Sequence, residues 1–325
     1  MRSKSLYFPT SSFSSVMGIE ISSIAFRLLK LSYLSLFLEY TGLTAYIFLS
    51  AIFAYKLVHK RSTLNQPGVE SILGAFTFPA GSAVLGSRLI IAGMNIPAYI
   101  LFTLSLLSTI IFTIQYFYRI ERVKGLYLYF MPFIAILSIS VLLSRIIINN
   151  VIYSNYLIFI VISLFIIGNA GYLAVTSISA RLYKEVFRIT KINGFYMVYA
   201  GIGSLTAVSG LTSLHILGHD FLFKFVEKLS YMNYGYGVAS SIFLTVLFML
   251  KFKNSVMPGY TISLWGAVFP LGVLSVGSSM VWSISSIVLV KYFAYIFGIT
   301  ALILIIYALF QIGIIFAKNL INESG

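Results

Sequence analysis

Two residues of opposite charge, Glu20 and Arg88, lie within apolar stretches of the chain, where they are suited to ionic or proton chemistry. Glu20 follows Pro9 by eleven residues, and Arg88 follows Pro79 by nine. With a rise of about 1.5 Å per helical residue, their depths on two neighbouring helices would differ by about 3 Å. We expect an ion pair or a proton-sensitive site, with Glu20 as the only acid deep within an apolar stretch. Alternatively, Arg88 extends to the water interface and Glu20 is neutral.

The composition of the chain indicates that lipid, and not water, surrounds most of it. Of the 325 residues, 59% are hydrophobic and 9% are charged, whereas soluble proteins have about 45–50% and about 25%. Eight acidic residues are too few to solvate a globule of this size. The net charge of +14 would suit nucleic acid, but apolar runs of membrane-spanning length separate the basic residues. The sequence therefore excludes a soluble enzyme and predicts membrane lipid, and not nucleic acid, as a partner.

Ten stretches of about 20 mostly apolar residues predict an all-α integral membrane protein with ten transmembrane helices. Their approximate limits are 7–26, 41–58, 71–92, 96–117, 125–144, 156–179, 192–214, 235–252, 259–282 and 292–317. The first stretch carries Pro9 and five hydroxyl residues, which make a poor cleavable signal, so we interpret it as a retained span. Residues 1–325 are expected to form a single transmembrane domain.

The distribution of basic residues predicts the orientation of the chain. Of the 22 Lys and Arg residues, 15 lie at the N-terminus, at the C-terminus or in the loops after even-numbered spans. Because positively charged short loops stay in the cytoplasm, both termini are predicted to be cytoplasmic. The expected location is the cell (plasma) membrane.

The odd-numbered spans differ from the even-numbered ones in small residues and prolines. Gly and Ser account for 32 of 109 residues in the odd spans and for 15 of 108 in the even spans. Four of the seven prolines also lie in odd spans, namely Pro9, Pro79, Pro132 and Pro270. A proline inside a spanning helix frees a carbonyl group that lipid cannot satisfy, so such helices face protein or a water-filled cavity. Close helix packing alone is the alternative explanation of the small residues.

A short sequence around these prolines recurs and indicates an internal repeat. The copies are Phe8-Pro9-Thr10-Ser11, Phe78-Pro79-Ala80-Gly81 and Phe269-Pro270-Leu271-Gly272, with Met131-Pro132 as a weaker copy and Gly201 at the corresponding place in the seventh span. Successive copies are 70, 53, 69 and 69 residues apart, which fits five helical hairpins. We predict an inner ring of five kinked odd helices around a central pore, with Glu20 and Arg88 at its outer vestibule.

These segments resemble those of a known family of membrane proteins. The ten spans and the segment Trp265-Gly266-x-x-Phe269-Pro270-Leu271-Gly272 are similar to the tellurite-resistance and C4-dicarboxylate transporter family. This family includes the slow-type anion channels of plant guard cells, fungal malate permeases and sulfite exporters. The first span contributes Phe8-Pro9, Ser11, Phe13 and Gly18, and the resemblance covers nearly the whole chain.

The resemblance implies a quasi-fivefold pore that a phenylalanine of the ninth helix closes near mid-membrane. Phe269 matches that position; alternatively, Phe269 only packs beside Pro270, or Phe78 or Phe8 constricts the ring. The resemblance also implies transport of small anions, with malate as the first candidate and sulfite or tellurite export as an alternative, and assembly as a homotrimer. A passive channel, a proton-coupled carrier and a scaffold that conducts nothing all stay open.

Three further features of the sequence carry weaker evidence about function. Arg145, at the end of the fifth span, either adds to a positive outer funnel for anions or reaches the membrane interface. His215 and His219 precede Asp220 at a spacing that could hold a metal, but Gly218 interrupts the helix, so we expect an exposed loop and no metal site. The chain carries no Walker loop and no His-Glu-x-x-His or Gly-x-Ser-x-Gly motif. We expect neither a cofactor nor an enzyme.

Overall fold

The computed structural model describes residues 10–59, 69–118, 126–150, 155–182, 193–217, 221–252 and 263–324. Across these ranges all regular secondary structure is helical. In chain order the α-helices are α1 (Ser14–Leu28), α2 (Ser32–His59), α3 (Val69–Ala75), α4 (Thr77–Ile91), α5 (Asn95–Phe117), α6 (Met131–Asn150), α7 (Asn155–Arg181), α8 (Val198–Ser213), α9 (Phe221–Phe252), α10 (Ser263–Ser285) and α11 (Val288–Ser324). Short 3-10 segments precede α1, α6 and α8, at Thr10–Phe13, Leu126–Phe130 and Gly194–Met197.

Most of these helices are long and apolar enough to cross a membrane. Nine candidate spans are present within the described ranges. The first predicted span corresponds to the shorter α1 with the 3-10 segment before it. The protein is therefore an all-α, multi-pass membrane protein, as the sequence predicts.

Two predicted helix starts were wrong. α2 begins at Ser32 and not near residue 41, and α9 begins at Phe221 and not near residue 235. Charged side chains lower the local hydropathy at both places, but they do not interrupt a helical backbone. In α9, for example, Lys224 and Glu227 are three residues apart, a spacing that suits one face of a helix.

Helices from odd-numbered spans are buried, whereas those from even-numbered spans are exposed. In the candidate spans that contain α4, α6, α8 and α10, between 67% and 100% of the most apolar stretch is buried. The corresponding range for α2, α5, α7, α9 and α11 is 28% to 39%. In α1, all residues are buried except Ser15 and the last two. The second group thus presents apolar side chains outward, as lipid contact requires.

Each buried helix packs against the helix that follows it and against two other buried helices. α1 contacts α4 and α10, α4 contacts α6, α6 contacts α8, and α8 contacts α10. Small residues permit this closeness: a Cβ added at Gly201 would lie 2.7 Å from the Cβ of Pro270, and one at Gly272 would lie 2.5 Å from Ile21. A Cβ at Gly81 would meet the backbone before α1 at 3.4 Å. These glycines therefore serve helix packing.

One proline of the repeat, Pro79, lies near an interruption of its buried helix. The α-helix is interrupted at Phe76, between α3 and α4, three residues before Pro79, although the backbone of Phe76 keeps right-handed helical dihedral angles. The hydroxyl of Thr77 donates to the carbonyl of Gly74 at 2.8 Å, and that of Ser105 donates to the carbonyl of Pro79 at 2.6 Å. Hydroxyl groups thus add hydrogen bonds to backbone carbonyls on both sides of the interruption.

The other repeat prolines differ in position. Pro132 is the second residue of α6, where a missing N–H costs little, and Pro270 lies inside α10. Phe8 and Pro9, predicted for the first span, lie outside the described residues.

Candidate functional site

A cavity of about 400 Å³ lies at the N-terminal ends of the buried helices. Each of these helices contributes to its wall, through Met17, Thr77, Ile134, Val198 and Phe269 among others. These five are also the last residues of their helices to line it, so they mark its deep end. Of the predicted lining residues, Ser11 and Phe269 are present in the wall.

A second, much smaller cavity of about 10 Å³ lies further along the same helices. Its wall again receives residues from α1, α4, α6, α8 and α10, including Ile24, Val84, Val141, Leu205 and Val276. Apart from three polar side chains, this wall is aliphatic.

Five residues of the smaller cavity, one on each buried helix, follow their counterparts at the deep end of the larger cavity by seven positions, as Val276 follows Phe269. Ile21 and Ser138, which also line the smaller cavity, follow Met17 and Ile134 by four positions. Seven residues are about two helical turns, or about 10 Å. Because the order of the cavities is the same on all five helices, these helices run in the same direction, with the smaller cavity about two turns beyond the larger.

Phe269 lies at the deep end of the larger cavity and is 3% exposed. Trp265 and Gly266, one turn earlier on α10, also line the larger cavity. In the sequence these two residues carry the family resemblance and are not predicted to line the pathway. Gly266 and Trp265 precede Phe269 by three and four residues, which places all three on one helix face. This spacing was the sequence signal that could have identified them as lining residues.

Phe78 occupies a different environment. Its ring packs against Phe13, Tyr46 and Phe53, with ring centroids 4.9, 6.2 and 5.4 Å apart. It lines neither cavity. The two repeat phenylalanines that the structure describes therefore differ. Phe269 lines a cavity, whereas Phe78 packs against Phe13 and against two aromatic residues of α2.

Arg88 forms an ion pair with Glu39, and not with Glu20. Its guanidinium lies 2.5 Å from a carboxylate oxygen of Glu39, without good hydrogen-bond alignment at that oxygen. Its Nε donates to the hydroxyl of Ser23 at 2.8 Å, and Ser35 accepts a second bond at 3.3 Å. The expectation that Glu20 is the only deeply placed acid was wrong, because the early start of α2 buries Glu39 as well.

Glu20 is completely buried on α1. Within the described residues neither of its carboxylate oxygens has a hydrogen-bond partner. The side chain lies against Gly42 of α2, where no Cβ could be accommodated. Neither Glu20 nor Arg88 lines the two cavities. Both side chains lie between α1, α2 and α4.

Arg145 and Ser138 line the smaller cavity together. In the part of the chain that the structure covers, the Nε of Arg145 and the Oγ of Ser138 lack hydrogen-bond partners. With Val141, they occupy positions three and four residues apart on one face of α6. From the sequence, Arg145 has two interpretations and Ser138 has no assigned role; their helical spacing is the signal that connects them.

The electrostatics of the larger cavity favour negative charge. The N-terminal turns of the buried helices surround it, for example at Ser14, Met131 and Val198. The N-terminus of a helix carries a partial positive charge and unpaired N–H groups. Glu70, the charged residue in the wall, lies in the first turn of α3, where a carboxylate complements the helix dipole.

The residues considered as possible metal ligands follow α8 in the sequence. His215 is exposed, and its predicted partners His219 and Asp220 lie outside the described residues. Among the residues that are described, no cluster of three or more His, Asp or Glu side chains could hold a metal ion.

The fold and the aligned cavities define a class: a multi-pass helical membrane protein with a candidate pathway for small anions. A family model described as voltage-dependent anion channel matches residues 7–312. The chain belongs to this family, which confirms the family predicted from its sequence. Members are channels or transporters of anions. No curated protein sequence matches the chain.

Proposed function

We propose that the protein moves small anions across the membrane along the common axis of α1, α4, α6, α8 and α10. The observation that carries the proposal is the pair of cavities, each lined by residues from all five helices and met in the same order along each helix. In this proposal the five helices form an inner ring, and each is the first member of a helical hairpin. Residues 1–325 act as one transmembrane domain.

The choice of anions over cations follows from the charges near the axis. Cation pathways usually carry rings of acidic side chains, whereas here the N-terminal ends of helices surround one cavity and Arg145 lines the other. Glu70 is the one acidic residue in the two walls and lies at a helix start. The local field therefore favours a negatively charged solute.

We further propose that Phe269 closes the pathway. The space available falls from about 400 Å³ before Phe269 to about 10 Å³ two turns later. An apolar ring at this boundary offers no hydrogen bond to an anion that must leave its hydration shell. Removing the ring would lower this barrier.

The substrate and setting come from the resemblance and from charge distribution. A C4-dicarboxylate such as malate is the first candidate, and sulfite or tellurite export is the alternative. The proposed location is the plasma membrane with both termini in the cytoplasm, and the proposed assembly is a homotrimer. A proton-coupled mechanism would need a titrating group such as Glu20, which is buried on α1, one of the pathway helices, although it lines neither cavity.

The test is an anion flux measurement on the purified protein in liposomes, with malate, sulfite, chloride and nitrate as solutes. We expect flux of at least one anion above that of empty liposomes. A channel gives flux that follows the membrane potential alone, whereas a proton-coupled carrier also requires a pH gradient. A membrane scaffold, the competing class, gives no flux with any of the four, and that result would reject the proposal.

A further inference from the structure

The smaller cavity contains two polar groups that the protein itself does not satisfy. Among the described residues, neither the Nε of Arg145 nor the Oγ of Ser138 has a hydrogen-bond partner, and Ser138 is 1% exposed. A buried donor without an acceptor is costly, and a positive charge without a counter-ion is more so. These two groups therefore call for an acceptor that the chain does not supply.

The other wall residues show what kind of acceptor would fit. Ser87 already donates to the carbonyl of Ala83 at 2.9 Å, and the remaining wall is made of Val, Leu and Ile side chains. No carboxylate is present in this wall. The two buried acids among the described residues, Glu20 on α1 and Glu39 on α2, lie with Arg88 on the side of α1 and α4 that faces α2. Arg145 is thus free of a protein counter-ion within the described residues.

The size of the cavity limits the ligand. Its volume of about 10 Å³ corresponds to about one water molecule. One guanidinium and one hydroxyl can balance a single negative charge, whereas a C4-dicarboxylate carries two charges and a four-carbon chain. The aliphatic wall would also remove water from the ligand, which strengthens its interaction with Arg145.

We propose that Arg145 and Ser138 form a binding site for a small monatomic inorganic anion such as chloride. The site lies about two helical turns beyond Phe269 and selects against dicarboxylates. This inference deepens the proposed function and rests on it, because the same pathway would deliver the anion to the site.

The test compares Arg145→Gln, Arg145→Lys and Ser138→Ala with the unchanged full-length protein in liposomes. We expect Arg145→Gln to raise the half-saturating chloride concentration by about tenfold or more, as the loss of a charge-assisted hydrogen bond implies. It should also reduce the preference for chloride over malate. Arg145→Lys keeps the charge and should retain most of that preference, and Ser138→Ala should show a smaller effect of the same sign.

The matched control is Arg27→Gln, which removes one positive charge near the same end of the inner helices. Arg27 lies in the last turn of α1, is exposed and donates to Ser32 at 3.3 Å, outside the cavity wall. Chloride selectivity in this variant should equal that of the unchanged protein. Equal effects of Arg145→Gln and Arg27→Gln would overturn the proposed site.

A second measurement does not depend on conduction. Chloride that binds the folded protein should raise its Tm in detergent by mass action, and Arg145→Gln should lose this rise. A Tm that responds to chloride equally in both proteins would overturn the site. Chloride stabilisation that depends on Arg145 in a protein without anion flux would reject the proposed transport function but support the site. Anion flux that Arg145→Gln leaves unchanged would support the proposed transport function and reject the proposed site.

Discussion

At the scale of single residues, two arginines of the inner helices, the buried Arg88 and the partly buried Arg145, have different environments. Arg88 is held between Glu39, Ser23 and Ser35, so its charge is compensated within the protein. Arg145 lines a cavity and has no such compensation among the described residues. The first arrangement serves the packing of three helices, and the second is available to a solute.

The Arg88 ion pair predicts a clear effect of Glu39→Gln on stability. Removing one partner of a buried pair leaves an uncompensated charge, which typically costs about 3–5 kcal/mol. We therefore expect a lower Tm for this variant in detergent. Glu20→Gln is the matched control, because Glu20 is equally buried but forms no ion pair with Arg88, and it should change the Tm much less. Equal losses in the two variants would contradict this assignment.

The sequence could predict a buried cluster around Arg88 but not its members. Glu39 was missed because its own charge made the preceding residues look like a loop, although the helix continues from Ser32. Whether the Arg145 side chain lies at the cavity or at the membrane interface could not be predicted either, because this depends on the rotation of α6 about its axis. That rotation is set by packing against α4 and α8, which the sequence of one helix does not contain.

At the scale of elements, small residues determine how closely the buried helices approach. The excess of Gly and Ser in the odd-numbered spans correctly indicated which helices are buried. It could not separate packing from cavity lining, since both need small side chains. Contacts separate them: Gly201 and Gly272 meet neighbouring helices, whereas Gly266 also lines the larger cavity.

The contact between α8 and α10 predicts that Gly201→Ala is destabilising. The added methyl group would meet both the backbone and the ring of Pro270 at 2.7 to 2.8 Å, so the two helices would have to separate. Such overpacking typically costs about 1–3 kcal/mol, which a lower Tm in detergent would reveal. Gly235→Ala on α9 is the control, because nothing lies within 4 Å of its added Cβ. A Gly201→Ala protein as stable as the control would show that this contact is not tight.

At the scale of the whole molecule, the positive charges and the helix directions lead to one orientation. The basic loops predict cytoplasmic termini. The larger cavity lies at the N-terminal ends of the inner helices and would then open toward the cytoplasm. The smaller cavity, with Arg145, would lie nearer the outside.

This orientation can be tested on the two ends of α5. The natural chain has no cysteine, so Met94→Cys and Tyr118→Cys each introduce a single thiol at an exposed position. The 23 residues between them span about 34 Å, enough to cross a membrane. In intact cells, a membrane-impermeant thiol reagent should label Met94→Cys and spare Tyr118→Cys until the cells are opened. The reverse pattern would place the termini outside.

The most direct test of the proposed pathway is the anion flux of Phe269→Ala in liposomes. Because the ring lines the deep end of the larger cavity and is proposed to close the pathway there, its removal should raise the flux above that of the unchanged protein. Phe78→Ala is the matched control, since Phe78 precedes the corresponding proline but packs against Phe13, Tyr46 and Phe53. This control should lose stability without a gain in flux per folded protein. An unchanged flux in Phe269→Ala, or an equal rise in Phe78→Ala, would contradict a pathway closed at Phe269.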